Sequence, residues 1–143
     1  LQDHHGYVAD YVLLLQATST LRRPEDIDGS IAVAEREEAD SLISVYPIVH
    51  PDGIIRLTED GRIHDFDNQA RQITRRQNVS PAYMINGAIY LMKWSLLLES
   101  DSFIGERTYV YAMPAERSLD IDTAPELHLA DLILRDENCN GRE

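Results

Sequence analysis

The residues from Tyr11 to Leu15 form an unbroken apolar run, YVLLL. Apolar residues alternate with polar ones where one face of a strand is wet. A continuous run is the pattern of a strand covered on both faces, as in a parallel sheet. A turn-like cluster, Gln16-Ala17-Thr18-Ser19-Thr20, follows it. Helical periodicity then begins: Pro24 suits a first turn, Glu25 and Asp26 suit the positive end of the helix dipole, and Ile27, Ile31 and Ala34 recur on one face. A second strand is expected over Asp40–Tyr46, ended by Pro47. Strand, loop, helix and strand together read as part of a βαβ arrangement.

The pattern changes after Pro47. Ile54 to Thr58 and Gly61 to His64 flank Glu59-Asp60-Gly61, a hairpin signal. Gln69 to Asn78 is polar and holds Arg71, Arg75 and Arg76. A solvated loop or helix face is the ordinary outcome for such a basic run. Residues 47–80 as a whole read as an excursion from the sheet, a protruding flap or dimer arm. Core character returns at Asn86–Leu91, where Gly87 and Ala88 permit close approach by a ligand or a packed element. Trp94 to Leu98 reads as a short amphipathic helix and Thr108–Ala112 as another strand. Thr123 can cap a last helix that carries Pro125 in its first turn and a buried stripe of Leu127, Ala130, Ile133 and Leu134, with a frayed polar tail from Arg135. The expected architecture is a single α/β domain over residues 1–143, three-layer α/β/α, with a mostly parallel Rossmann-like sheet.

Composition narrows the function. The 143 residues are 43% apolar, enough for one domain with a real core, and no apolar run approaches the about 20 residues that cross a bilayer. A formal charge of −12 argues against a nucleic-acid surface, which needs cations. The N-terminus lacks a secretory pattern, and one cysteine, Cys139, leaves no internal disulfide; both suit a reducing, cytoplasmic setting. Cys139 and the scattered histidines His4, His5, His50, His64 and His128 are read as bystanders.

The candidate chemistry lies in Ser118-Leu119-Asp120-Ile121-Asp122-Thr123. If extended, this stretch points Asp120 and Asp122 to one face and Leu119 and Ile121 to the other. Such a carboxylate pair suits Mg²⁺ against phosphate oxygens, since Mg²⁺ takes one or two carboxylates plus substrate. The competing reading is two solvated aspartates at a turn. A glycosidase is disfavoured, because its carboxyls flank a bond about 5 Å or more apart. Neither GxGxxG nor GxxxxGK[ST] occurs in the chain.

Three blocks, in order and spacing, resemble one family: Leu14-Leu15-Gln16-Ala17-Thr18-Ser19-Thr20-Leu21-Arg22, Asn86-Gly87-Ala88-Ile89-Tyr90, and Ser118 to Thr123. They are similar to the acylneuraminate cytidylyltransferases, or CMP-N-acetylneuraminic acid synthetases, which have a nucleotide-diphospho-sugar transferase type of fold. The resemblance runs from about Tyr11 to about Leu134 and matches the later two thirds of such an enzyme, without its N-terminal nucleotide-binding third. It implies transfer of CMP from CTP to the anomeric hydroxyl of a nonulosonic acid, with release of pyrophosphate. Asp120 and Asp122 match the metal-binding aspartates and imply Mg²⁺. Gln16 matches a sugar-contacting glutamine, with Thr18 and Ser19 in its loop; Tyr90 matches an aromatic residue at the sugar pocket, with Asn86 on the same strand. Arg76 matches the arginine that meets the sugar carboxylate and, since the arm swaps across a homodimer in this family, could serve the partner's site. The sequence departs from the family pattern at Ala17 and Thr20, where two prolines are usual, at Asp52-Gly53 after His50-Pro51, and at Met84-Ile85. These departures open two alternatives: a cytidylyltransferase for another 3-deoxy sugar acid, or a non-catalytic module that binds a sugar acid or dimerises.

Overall fold

In a computed structural model, the structure describes residues 9–48, 56–60, 63–64, 81–100 and 102–140. The arginines 71, 75 and 76, His50-Pro51-Asp52-Gly53 and the tandem His4-His5 lie outside the described residues. The elements run β1 (Tyr11–Leu14), α1 (Pro24–Arg36), β2 (Ser41–Ile48), β3 (Arg56–Leu57), β4 (Ile63–His64), β5 (Ala82–Lys93), α2 (Trp94–Glu99), β6 (Thr108–Ala112), a 3₁₀ turn (Ala115–Arg117) and α3 (Ala124–Asn140). The chain divides into two compact units, residues 47–84 and the remainder.

The larger unit is built on a sheet of order β1-β5-β2-β6. It is mixed where a mostly parallel sheet was expected: β2 and β6 run parallel, Ser41 opposite Thr108, while β1 and β5 run antiparallel, Tyr11 opposite Lys93. The strand covered on both faces is β2, in which Ser41 to Val45 are all buried. The apolar run of β1 instead occupies an edge of this sheet and is only half-buried, with Leu14 exposed. Two polar residues inside β2 hid its buried character, and both are satisfied across the sheet. The Ser41 hydroxyl pairs with Thr108 Oγ1 at 2.8 Å, and Ser44 Oγ donates to Asn86 Oδ1 at 2.5 Å.

Helix α1 covers the sheet: its Ile31, Val33 and Ala34 pack with Leu42 and Leu91, and its Ile27 with Ala88, Ile89 and Met113. Gly29 lets the helix close on β6, for a Cβ there would stand 2.8 Å from the Tyr111 ring. Among the expected apolar positions of α3, Ala130 is buried and Ile133 partly so, but Leu127 and Leu134 are exposed; the helix also continues through the expected frayed tail to Asn140.

In the smaller unit, β3 and β4 form the expected hairpin, Arg56 opposite His64 and Leu57 opposite Ile63, with Glu59 and Asp60 at the turn. The Thr58 hydroxyl donates to Asp60 Oδ1 at 2.5 Å.

Candidate active site

The loop after β1 and the loop after β6 meet at the middle of β5. Residues 118–122 form no strand, so the two aspartates are presented by a loop, Asp120 partly buried and Asp122 exposed. One backbone bond joins the loops directly: Ile121 N–H donates to the Thr18 carbonyl at 3.2 Å. Gly87 provides the floor. Its φ of +73° is in the left-handed region that favours glycine. A Cβ at this position would collide with Gln16 Oε1 and would stand 3.7 Å from Asp120 Oδ2. The glutamine carboxamide, the first aspartate and bare strand backbone are thus side by side, and the small residue here makes room for a side chain of the first loop.

Asn86 holds this kink together from within. Its carboxamide is 4% exposed and fully engaged: Oδ1 accepts from Ser44 Oγ and from Ala88 N–H, and Nδ2 donates to Ser118 Oγ at 2.9 Å and faces Met113 Sδ at 3.3 Å. Ile89 N–H donates to Ser44 Oγ at 2.7 Å. Ser19 is buried as well, and its hydroxyl donates to the Asn86 carbonyl at 3.4 Å. Thr18 is exposed beside it. Tyr90 stands four residues after Asn86 on β5 and packs its ring on Phe103, centroids 4.9 Å apart. Arg76 lies outside the described residues.

Three side chains to which the sequence assigned no part in the site, Arg22, Arg117 and Asp26, support it. Arg22 Nη1 donates to the Gln16 carbonyl at 3.2 Å and to the Ala88 carbonyl at 2.7 Å, tying the first loop to β5. Arg117 forms a two-pronged ion pair with Asp26, one prong at 2.9 Å. Asp26 is almost fully buried in the first turn of α1 and also accepts from Arg23 N–H at 2.9 Å. Burial works against the Asp26 charge, but the Arg117 hydrogen bond, the Arg23 N–H and the attraction of both arginines outweigh it, and the carboxyl ionises below the usual aspartate range. Burial, then the nearby Asp26 charge, push the Tyr111 hydroxyl up. The signal for this pair was an arginine opening the SLDID stretch and an acid three residues after Arg23, but nothing in the sequence connects positions 91 apart.

The second aspartate is steadied by the helix that follows. Glu126 Oε2 accepts from Asp122 N–H at 2.9 Å, Thr123 N–H at 2.7 Å and Thr123 Oγ1 at 2.8 Å. The Thr123 hydroxyl and these two amides hold the Glu126 carboxyl in its charged form, with its pKa lowered. This is the glutamate half of a capping box, with the threonine side chain turned toward the acid.

The donor set fits a hard divalent cation. Asp120 Oδ1 is buried without a hydrogen-bond partner, a costly condition for a carboxylate oxygen that a bound cation would relieve. Among the described residues no cluster of three or more acidic, histidine or cysteine ligands occurs. A cation here would therefore draw on the two aspartates and on substrate oxygens, the usual habit of Mg²⁺.

Comparison with known proteins agrees with the three converging blocks. An N-acylneuraminate cytidylyltransferase of Streptococcus agalactiae is 33% identical over 123 residues, covering 82% of this chain and 30% of the relative. The chain belongs to the acylneuraminate cytidylyltransferase family. The post-translational flagellin modification protein B of Campylobacter coli is 24% identical over 94% of the chain and 57% of its own length. The CMP-N,N'-diacetyllegionaminic acid synthase of Legionella pneumophila is 29% identical over 87% of the chain and 54% of its own length. The chain thus spans about a third of the streptococcal member of the family and somewhat over half of the other two. A scan against protein-family profiles finds no match. The names of these relatives make the family one of nucleotidyltransferases. Among the described residues, no helix is long and apolar enough to cross a membrane.

Proposed function

We propose that this chain carries the sugar-binding and metal-binding part of a cytidylyltransferase that moves CMP from CTP to the anomeric hydroxyl of a sialic-acid-like nonulosonic acid. The observation that carries the proposal is the convergence of Gln16, Gly87 and Asp120, one residue from each of the three family blocks, at one place on β5.

The chemistry asks for position and charge neutralisation more than for covalent work. Gln16 offers both a donor and an acceptor to the sugar hydroxyls. Its reach is set by the Arg22 clasp on its own carbonyl. Gly87 has no side chain, so the Gln16 carboxamide can lie against β5 and be presented to the sugar from there. Thr18, exposed on the same loop, adds a hydroxyl, while Ser19 and Asn86 act from beneath by fixing the kink. Tyr90, braced by Phe103, offers an aromatic wall. Arg76 is assigned to the sugar carboxylate, whose two oxygens match a guanidinium fork, in its own site or in that of a homodimeric partner. Asp120 and Asp122 would hold Mg²⁺, which when bound polarises the α-phosphate and neutralises charge on CTP. In the reaction the anomeric oxygen forms its bond to the α-phosphorus as the bond to pyrophosphate breaks, and the hydroxyl proton is released to solvent.

The test is pyrophosphate release from CTP with Mg²⁺ and a panel of acids: N-acetylneuraminic acid, N,N'-diacetyllegionaminic acid and a 3-deoxy-octulosonate. Turnover with a nine-carbon acid supports the proposal. Calorimetry that finds sugar-acid binding without CTP binding or turnover, in the native polypeptide that carries this sequence, replaces it with the non-catalytic module.

A further inference from the structure

The geometry points to the buried Asp26–Arg117 ion pair as a positioning latch that holds the aspartate loop against the glutamine loop, an inference that rests on the function proposed above. The two residues lie in different elements, each next to one of the loops that meet at Gly87. Asp26 is in the first turn of α1, four residues after Arg22, where the glutamine loop ends. Arg117 ends the 3₁₀ turn, three residues before Asp120. Their side chains are 3% and 18% exposed, so the pair is sheltered from water and from screening ions.

The pair has the form of a fixture. A guanidinium fork on a carboxylate fixes orientation as well as distance, because two parallel hydrogen bonds remove the freedom to pivot. The carboxylate is itself fixed by the Arg23 N–H. Tyr111 of β6 stands close by, where Gly29 admits its ring against α1. Beyond the latch, the 118–122 loop is tied to β5 by Ser118, which accepts from Asn86, to the glutamine loop by Ile121 N–H on Thr18, and to the helix that follows by Asp122 N–H on Glu126, while Asp120 Oδ1 has no partner. Among these ties the latch is the two-pronged charged one, and it stands at the start of the loop that carries Asp120. A buried ion pair is also a poor device for raw stability, since an apolar pair of equal size often does as well. Its directional fork is what an apolar pair would lack.

The readouts are Ile121 amide exchange, which reports the loop-to-loop bond without substrate or metal, and kcat for pyrophosphate release in the native polypeptide that carries this sequence. Arg117→Lys keeps the charge and loses the fork; Asp26→Asn loses the charge and keeps the shape. With the latch as stated, both variants exchange Ile121 at least about tenfold faster than any loss of global stability, read from the Leu42 and Ile89 amides of the core, accounts for. Both then lose at least about tenfold in kcat with KM for CTP within about twofold, the signature of lost alignment rather than lost binding. Should Asp26→Asn fail to fold, Arg117→Lys and an Arg117→Ala variant supplied with millimolar guanidinium decide the matter: guanidinium restores Ile121 protection and kcat, and ammonium does not. Folded variants with wild-type Ile121 exchange, or with fast exchange and wild-type kcat, overturn the latch. An unmutated protein that exchanges normally but turns over none of the sugar acids overturns the proposed function instead, and Ile121 exchange in the variants still decides whether the pair holds the loop.

Discussion

The carboxamide of Gln16 occupies the place where a side chain on Gly87 would begin. Two separate penalties therefore attach to Gly87→Ala. The φ of +73° costs a non-glycine residue about 1–2 kcal/mol. The new methyl also has to displace Gln16 Oε1, the movable end of a flexible chain, so that overlap is relieved at the expense of the sugar contact proposed for Gln16 and not of the fold. The variant should lose about 1–2 kcal/mol in urea unfolding and show a raised KM for the sugar acid with a nearly unchanged KM for CTP. A KM that rises for CTP alone would show that Gln16 faces the wrong substrate.

Asp120 and Asp122 should separate in a stability assay although the proposed function gives both the same chemistry. Asp120 Oδ1 is buried and unpartnered, so the free protein carries a local cost there. Asp120→Asn removes the charge while keeping the shape. It should leave the melting temperature unchanged or raise it, while turnover falls by about 100-fold or more, the scale of losing one preorganised electrostatic contact. Asp122 is exposed, so Asp122→Asn should lower turnover without the gain in stability. Millimolar Mg²⁺ should raise the melting temperature of the wild type and not of Asp120→Asn, by mass action on the folded form. A lowered melting temperature for Asp120→Asn would mean that its carboxylate is a structural acceptor.

What the sequence disclosed and what it hid follow physical lines. The helix from Pro24 was legible because Ile27, Ile31 and Ala34 fall on the face that packs on the sheet, and Thr108–Ala112 because its β-branched and aromatic residues favour a strand even though Val110 is exposed. The strand β1 misled because its apolar run describes what the side chains avoid, not which neighbours cover them; beside Gln16 it lies at an edge of the described sheet. The converse held in β2, where Ser41 and Ser44 look solvated in sequence and are buried because hydroxyl partners on β6 and β5 satisfy them. The three blocks of the site could be named one by one, and the closeness of Gln16 to Asp120 was expected from their resemblance. The fixtures between them, Arg22 on Ala88 and Arg117 on Asp26, depend on long-range partners that no local spacing encodes.

Asn86 should prove more important to folding than to substrate contact. Its carboxamide serves Ser44, Ala88 N–H and Ser118 from a position 4% exposed. Asn86→Ala leaves these groups without that partner, and each buried group so stranded costs about 1–3 kcal/mol. The expected result is a large loss in chemical-denaturation stability. Asn86→Asp, which keeps the acceptor and loses the donor to Ser118, should fall between. Wild-type stability of Asn86→Ala with a raised sugar KM would reassign the residue to direct binding.

Gly29→Ala sets two effects against each other. Alanine is better than glycine in a helix interior by about 1 kcal/mol. The added methyl, however, would stand 2.8 Å from the Tyr111 ring, which is packed between α1 and the sheet. Overpacking of this kind costs about 1–3 kcal/mol, so a net loss is expected. Tyr111→Leu in the same background should recover part of it, because the clash partner is gone. A stabilised Gly29→Ala would mean that the ring moves freely and that α1 and β6 are loosely joined.

The acid limb of the stability curve should carry the mark of Asp26. Its folded pKa lies below the unfolded value of 3.8: burial opposes the charge, and Arg117 and the Arg23 N–H overcome that opposition. A carboxyl depressed in this way contributes stability that is fully present above pH 3.8 and is lost as the pH falls through the lower, folded value. Asp40, held down by the Lys93 ammonium and the Arg107 N–H, and Glu126, held down by Thr123 and Asp122, act in the same direction. Asp26→Asn deletes one of these contributions and strands Arg117, at a cost of about 3–5 kcal/mol for a buried pair broken from one side. Urea midpoints of the wild type and this variant should therefore differ most near pH 6 and draw together as the pH falls below about 4, where the wild-type carboxyl also becomes protonated. A difference that stays constant down to pH 2.5 would show that the Asp26 charge does not contribute to stability and that only the shape of the pair matters.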